Sequence, residues 1–232
     1  MLTILQKIYS TSFAISVKIS VKGYMSCSTS LERLRRLEEL MRSELKQILK
    51  KYPVIAAAKD VHGLEDACQS EIQIIFILFG DIINLPNIVK KAKLCGKLVF
   101  VHMDLIEGLD TKEISVKYIR DFTEADGIIS TKSNVIKAGN EMGLITVQRF
   151  FMLDSMAMEK AKKHMEYAYA DAFEILPGVI PKIIKKISNF TEIPIIAGGL
   201  IEDQNDTYTA LSSGASAIST TNKSLWKFVV EL

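Results

Sequence analysis

The chain has 232 residues, of which 48% are hydrophobic and 24% charged, and its formal net charge at pH 7 is +2. This composition is typical of a globular protein with a sizeable core, and the near balance of charge excludes binding to nucleic acid or an anionic membrane through overall charge alone. Its three widely spaced cysteines form no CxxC motif, so we expect a cytoplasmic protein with no disulfide framework and no structural metal.

The N-terminal region is predicted to contain two different segments. Residues 1–29 have short apolar runs interrupted by lysines, and we expect a poorly ordered extension rather than a signal sequence. From residue 30 leucines recur at helical spacing, which predicts an amphipathic helix over residues 30–52 that packs on the following domain. The leucine stripe also permits self-association into a homo-oligomer. The basic side chains of this helix form either a solvated face or an RNA-binding edge, and the RNA candidates are Arg33, Arg35, Arg36 and Arg42.

After Pro53, eight apolar and β-branched runs alternate with helical segments. The runs are residues 54–59, 72–79, 97–103, 126–131, 144–150, 171–176, 194–198 and 216–220. Strands that are apolar throughout and alternate with helices indicate a parallel sheet buried on both faces, and eight such units close a barrel. We therefore predict an α/β protein with a single-domain, TIM-type (β/α)8 barrel over residues 53–232. An open, doubly wound sheet is the competing arrangement. The most apolar run, residues 72–83, is too short to cross a bilayer, so we expect no membrane partner.

Ligands of such barrels bind at the C-terminal ends of the strands, where this sequence places polar residues of both signs. Nine of them make up the predicted ligand site: Asp104, Lys132, Arg149, Glu174, Gly198, Gly199, Thr220, Thr221 and Asn222. Small residues after the last two strands let main-chain N–H groups converge on an anion, which favours a phosphate ester. Alternatively, the two glycines only form a tight turn, and each charged residue belongs to a structural ion pair.

Six motifs in their order along the chain resemble the glycerol uptake operon antiterminator regulatory proteins, a family of glycerol-3-phosphate-responsive antiterminators. They are VHMDLIEGLD (101–110), DGIISTKSNVIKAG (126–139), QRFFMLDSMAM (148–158), EILPG (174–178), IIAGGLI (195–201) and STTNKSLW (219–226). The resemblance implies a barrel that is not an enzyme and needs no cofactor. It further implies an antiterminator that senses glycerol 3-phosphate, binds leader mRNA and regulates genes of glycerol uptake and metabolism.

The resemblance also implies a role for each group of residues in the predicted site. The two glycines and the two threonines hold the phosphate, the lysine and arginine add positive charge, and the two carboxylates face the glycerol hydroxyls. These roles are expectations carried over from the family, whereas the residues alone indicate only a small phosphorylated polyol.

Two other functions remain open at this point. One is an isomerase, lyase or transferase acting on a phosphate ester, with Lys132 as nucleophile or Glu174 as base, and with His102 contributing if it points inward. The other is an RNA-binding scaffold without a small ligand. Further basic clusters that suit RNA are Lys90, Lys91 and Lys93, and Lys160, Lys162 and Lys163 with Tyr167 and Tyr169.

Overall fold

In the computed structural model, residues 45–227 are described. Eight parallel strands form a closed barrel in which each strand pairs with the next and the eighth pairs with the first. The strands are β1 (Val54–Ala58), β2 (Ile74–Ile77), β3 (Leu98–His102), β4 (Gly127–Ser130), β5 (Ile145–Phe151), β6 (Ala172–Leu176), β7 (Ile195–Gly198) and β8 (Ala217–Thr220). The predicted TIM-type barrel is confirmed, and each observed strand lies within or overlaps its predicted run.

Helices connect consecutive strands on the outside of the barrel. They are α1 (Val61–Gln69), α2 (Leu85–Leu94), α3 (Glu113–Phe122), α4 (Ser133–Glu141), α5 (Ser155–Glu166), α6 (Pro181–Ser188) and α7 (Gln204–Ser212), with short 3-10 helices at Met103–Leu105 and Leu225–Lys227. Three begin at an aspartate whose carboxylate accepts a main-chain N–H of the first turn: Asp60, Asp154 and Asp203. Among residues 45–227, no helix has the length and apolar character of a membrane span.

Both faces of the strands are buried, which explains their continuous apolar sequence. The inward side chains, such as Phe76, Phe100 and Val147, fill the barrel, while their neighbours along each strand pack against the helices. Leu45 and Leu49, from the helical residues 45–51, belong to the interior cluster and therefore close the N-terminal end of the barrel. The predictions for residues 1–29 and for the four arginines of residues 30–44 lie outside the described residues.

A buried ion pair fixes α2 to the start of β4. Lys93 Nζ lies 2.8 and 2.6 Å from the two carboxylate oxygens of Asp126, and one of these oxygens also accepts the N–H of Val99 at 2.7 Å. The two charged side chains are only 7% and 4% exposed. Lys93 is therefore absent from the exposed basic surface that the sequence suggested near Lys90, and Lys91 is ion-paired with Glu65.

We predict that Lys93→Met destabilises the protein by about 3 kcal/mol, because the substitution leaves the Asp126 carboxylate buried without its cation. Lys91→Met is the matched control, since Lys91 lies two residues away on the same helix in an ion pair that is 47% exposed on the lysine side. The control should leave the denaturation midpoint nearly unchanged. Urea denaturation of the two variants measures the difference, and equal midpoints would contradict a structural role for the buried pair.

Candidate ligand site at the mouth of the barrel

A buried carboxylate organises the C-terminal end of the barrel. Glu174 in β6 is 1% exposed, and each of its two carboxylate oxygens accepts a hydrogen bond. Arg149 Nε on β5 donates to Oε2 at 2.6 Å, and Ser219 Oγ on β8 donates to Oε1 at 2.6 Å. Arg149 and Glu174 are direct partners in the β5–β6 ladder. Three strands thus hold one negative charge inside the barrel.

Glycines allow the loop after β7 to approach this carboxylate closely. A Cβ at Gly198 would lie 2.6 Å from Ser219 Oγ and 2.7 Å from Glu174 Oε1. A Cβ at Gly178, in the loop after β6, would lie 2.8 Å from main-chain atoms of Ala197 and Gly198. The Gly178 N–H donates to the carbonyls of Gly198 and Gly199, at 2.6 and 3.1 Å. Gly198 is therefore required by the space around Glu174, and Gly178 by the contact between the two loops.

The loops after β7 and β8 are joined by side chains of the second loop. Thr220 Oγ1 donates to the carbonyl of Ile201 at 2.8 Å, and Asn222 Nδ2 donates to the carbonyl of Glu202 at 2.5 Å. Thr220 Oγ1 also accepts the N–H of Asn222 at 3.0 Å. These two side chains therefore hold the loops together, so that main-chain groups, rather than the Thr220 hydroxyl, are left for an anion.

Three main-chain N–H groups of these joined loops are free to donate a hydrogen bond to a ligand. Within residues 45–227, the amides of Gly199, Leu200 and Thr221 make no hydrogen bond. Gly199 and Leu200 both have left-handed backbone conformations, with φ of +75° and +61°. Main-chain N–H groups that line a bend of this kind at the end of a strand are suitable donors for an anion. We call the segment from Gly198 to Ile201, together with Thr220 to Asn222, the anion cup.

Asp104 lies on the other side of the mouth, after β3. Its carboxylate accepts hydrogen bonds from Ser130 Oγ at 2.5 Å and from the N–H and Oγ1 of Thr131 at 2.8 and 2.7 Å. Burial acts to raise the pKa of Asp104, but these hydrogen bonds from Ser130 and Thr131 outweigh it and hold the pKa below its usual value. The carboxylate is therefore ionised at neutral pH and shapes the loop that begins α4. Lys132, in that loop, is exposed and has no ion pair within the described residues.

His102 is a buried polar residue at this end whose position the sequence did not determine. It is 2% exposed, and neither ring nitrogen has a hydrogen-bond partner within residues 45–227. It follows the interior residue Phe100 by two positions, so its ring also faces inward. Burial, and to a smaller extent the positive charge of Arg149, lower the pKa of His102 to about 4, against the opposing effect of Asp104. The neutral ring can donate one hydrogen bond and accept another, which suits a hydroxyl group.

The nine predicted residues therefore fall into two groups at the same end of the barrel. Asp104 and Lys132 lie at β3 and β4, and the other seven lie at β5 to β8, with His102 under the electrostatic influence of both groups. Their contact with a ligand stays a prediction.

Sequence reasoning missed Ser219 and the orientation of His102. The two-residue alternation of the strands was the available signal, because it places Ser219 on the same face as the interior Ala217.

An apolar groove elsewhere does not fit a phosphate ester. It encloses about 400 Å³ and is lined by the loops after β2 and β3 and by α3, including Ile82, Tyr118 and Phe122. None of the nine predicted residues lines it. Within the described part of the chain, no three His, Cys, Asp or Glu side chains converge as a metal site would require.

Comparison with known proteins gives consistent matches along the barrel. A sequence profile of the family described as "Glycerol-3-phosphate responsive antiterminator" matches residues 54–226. The uncharacterised protein YgcP of Escherichia coli K12 is 41% identical over 188 residues, which cover 81% of this chain and 98% of YgcP.

Solved structures agree with these sequence matches. The glycerol uptake operon antiterminator regulatory protein of Listeria monocytogenes is 34% identical, with a TM-score of 0.73 over 75% of this chain and 94% of that protein. A glycerol uptake operon antiterminator-related protein of Thermotoga maritima is 35% identical, with a TM-score of 0.67 over 75% of this chain and 98% of that protein. Other solved barrels, aldolases and a decarboxylase among them, are at most 18% identical and share only the fold.

We predict that His102 makes stability depend on pH. The unfolded chain binds a proton on His102 near pH 6.5 and the folded chain only near pH 4, so stability is lost as pH falls between these values. The loss attributable to this residue is about 3 kcal/mol. In His102→Phe that part of the loss should disappear. At pH 7 the variant should be at least as stable as the original chain, because two unpaired buried nitrogens are removed.

Urea denaturation at pH 7, 5.5 and 4.5 measures this effect. His62→Phe, at an exposed position on α1, is the control and should follow the unaltered chain. If His102→Phe loses as much stability on acidification as the unaltered chain does, the buried neutral imidazole is not the cause.

Proposed function

Because this chain belongs to the family of glycerol-3-phosphate-responsive antiterminators, we propose that it binds glycerol 3-phosphate at the mouth of the barrel and acts in transcription antitermination. In this proposal it is a cytoplasmic protein that binds leader mRNA and regulates genes of glycerol uptake and metabolism. It needs no cofactor and catalyses no reaction on its effector. The observation that carries the ligand assignment is the anion cup, with its three unpaired main-chain N–H groups.

The phosphate of the ligand suits the anion cup by charge and by hydrogen bonding. A phosphate ester offers three acceptor oxygens, and main-chain N–H groups at a glycine bend allow it to approach without obstruction by a Cβ. Gly199 and Leu200 form that bend, Gly198 leaves the space beside it open, and Arg149 on β5 and Lys132 after β4 add positive charge at the same end of the barrel. The side chain of Arg149 is 11% exposed and uses its Nε for Glu174. The guanidinium has further N–H groups that remain for a phosphate oxygen.

The hydroxyl groups of glycerol fit the inner, mixed-polarity part of the mouth. Each oxygen of a carboxylate has two lone pairs, so Glu174 can accept a hydroxyl in addition to Arg149 and Ser219. His102 can both donate to and accept from a hydroxyl once the side chains that cover its ring nitrogens move. A neutral polyol head is favoured over a carboxylate head, because Asp104 and Glu174 already place negative charge at this end.

Regulation by this ligand requires two states of the protein that bind it with different affinity. The anion cup is a suitable element, because it connects three loops. Gly178 links the loop after β6 to the cup, and Thr220 and Asn222 link the loops after β7 and β8. A phosphate that draws the three amides together would therefore move all three loops as one unit.

An enzyme acting on a phosphate ester, as an isomerase, lyase or transferase, is the second candidate function. The neutral imidazole of His102 favours it, since such a ring can polarise a carbonyl group. The surroundings of the other two groups do not. Glu174 is bonded to both Arg149 and Ser219 and is not a free base, and Lys132 is exposed rather than desolvated as nucleophilic lysines are.

We predict that Lys132→Met weakens the binding of glycerol 3-phosphate about tenfold, because a charge-assisted hydrogen bond to the phosphate is lost. Lys137→Met is the matched control. It removes the same charge from within α4, five residues after Lys132, and should change the dissociation constant less than twofold. Isothermal titration calorimetry with both variants and the unaltered chain measures these constants.

Two outcomes would contradict the proposal. If the unaltered chain gives no heat and no thermal shift with millimolar glycerol 3-phosphate, the ligand assignment fails. If phosphorus NMR shows turnover of a triose phosphate that Glu174→Gln abolishes, the chain is an enzyme and the second candidate is correct.

A further inference from the structure

Two neighbouring helices carry a concentration of lysines that the small net charge of the chain conceals. α5 and α6 contain six of the 29 basic residues and only two of the 27 acidic ones, Glu159 and Glu166. The six are Lys160, Lys162, Lys163, Lys182, Lys185 and Lys186. Five of these side chains are exposed, and Lys162 is half-buried. The outer surface formed by these six residues is called the α5–α6 face.

Most lysines on the α5–α6 face lack carboxylate partners, whereas several lysines on other helices and loops have one. On other helices and loops, Lys91 pairs with Glu65 and Lys112 with Asp110, both at 2.7 Å, and Lys223 pairs with Asp66 at 2.5 Å. Within residues 45–227, Lys162 is the one lysine of the α5–α6 face with an ion pair, to Glu159 at 3.5 Å. Five unpaired cations on adjacent helices produce a local positive potential that attracts a polyanion.

Exposed aromatic rings accompany these lysines. Tyr167, directly after α5, is 82% exposed, and Phe190, after α6, is 38% exposed. Lys162 Nζ lies 5.7 Å from the centroid of the Phe190 ring, so the second half of α5 contacts the residues that follow α6. Lysines that contact phosphates, next to rings on which bases stack, are the combination that binds single-stranded RNA.

The apolar sides of both helices are already used by the barrel. Ile184 and Ile187 of α6 are fully buried, and so are Ala161 and Met165 of α5 to within a few per cent. A helix that binds a membrane surface needs a free apolar face to insert between lipids. Within α5 and α6, Met156, 67% exposed, is the one large apolar side chain on the outer surface. A single side chain does not form such a face, which favours RNA over an anionic membrane.

The α5–α6 face is also joined to the ligand site by the chain itself. α5 follows β5, which carries Arg149, and α6 follows β6, which carries Glu174. Gly178, between β6 and α6, donates its N–H to the carbonyls of Gly198 and Gly199 in the anion cup. Movement of the cup would therefore reach the first turn of α6 through one glycine.

We propose that the α5–α6 face is the surface through which this protein binds single-stranded RNA. The proposal rests on the RNA-binding function proposed above and names its location, which the family relationship does not. The lysines contact phosphates along the strand, and Tyr167 stacks on a base.

Fluorescence anisotropy with a labelled, random-sequence RNA of 30 nucleotides tests the location. The variant Lys182→Gln/Lys185→Gln/Lys186→Gln should bind at least tenfold more weakly at 0.1 M salt. Its log–log salt dependence should be less steep by about 2, because each lost phosphate contact on a single strand removes about 0.7. Lys90→Gln/Lys112→Gln/Lys117→Gln removes the same charge from α2, from α3 and from the residue before α3, and should stay within twofold of the unaltered chain.

Further variants and a folding control test the role of stacking and the alternative locations. Tyr167→Ala should weaken RNA binding severalfold while keeping the salt dependence, since stacking releases no counterions. The triple variant at Lys182, Lys185 and Lys186 is called the α6 variant. If calorimetry shows that it binds glycerol 3-phosphate as the unaltered chain does, the barrel is intact. Equal weakening by the two triple variants would overturn the inference, as would a loss of affinity confined to Arg33→Gln/Arg35→Gln/Arg36→Gln.

Two further results would change the proposed function as well as the location of the binding surface. Failure of the unaltered chain to bind any RNA would overturn the proposed RNA function together with its location. Binding of phosphatidylserine vesicles that the α6 variant loses, with RNA binding unchanged, would identify a membrane surface instead.

Discussion

The buried carboxylate of Glu174, paired with Arg149 inside the barrel, is the constraint on which the ligand site depends. A buried charge costs several kcal/mol unless donors surround it, and in this protein Arg149 and Ser219 supply one donor to each oxygen. The space that the carboxylate and the serine occupy leaves no room for a side chain at position 198. One carboxylate on β6 therefore constrains residue types on β5, β7 and β8, and the main chain at the start of the anion cup lies close to it.

His102 shows the opposite arrangement, a polar group that the fold leaves unsatisfied. Its two ring nitrogens are buried without partners, and a structure selected for stability alone would place an apolar side chain there. Proteins keep such destabilising residues at sites where they bind a ligand or stabilise a second conformation. The position of His102 between the charges of Arg149 and Asp104 makes it the point where the two halves of the mouth meet.

The fold could be predicted from the sequence because each strand is buried on both faces and reads as an uninterrupted apolar run. The general location of the site followed from the fold, since Glu174 and Gly198 lie at strand ends. The individual roles could not be predicted, because they depend on register and distance between strands. The prediction that Thr220 helps to hold the phosphate did not foresee that its hydroxyl joins two loops. Lys93 was grouped with an exposed basic cluster, but it lies buried against Asp126, 33 residues away in the sequence.

Amide hydrogen exchange at single-residue resolution, with and without saturating glycerol 3-phosphate, tests the central claim most directly. The account predicts that the ligand slows exchange of the Gly199, Leu200 and Thr221 amides, which lack an internal acceptor, while the core amides of β1 to β4 change little. Protection confined to the apolar groove at α3, or no change at these three amides despite measurable binding, would contradict the account.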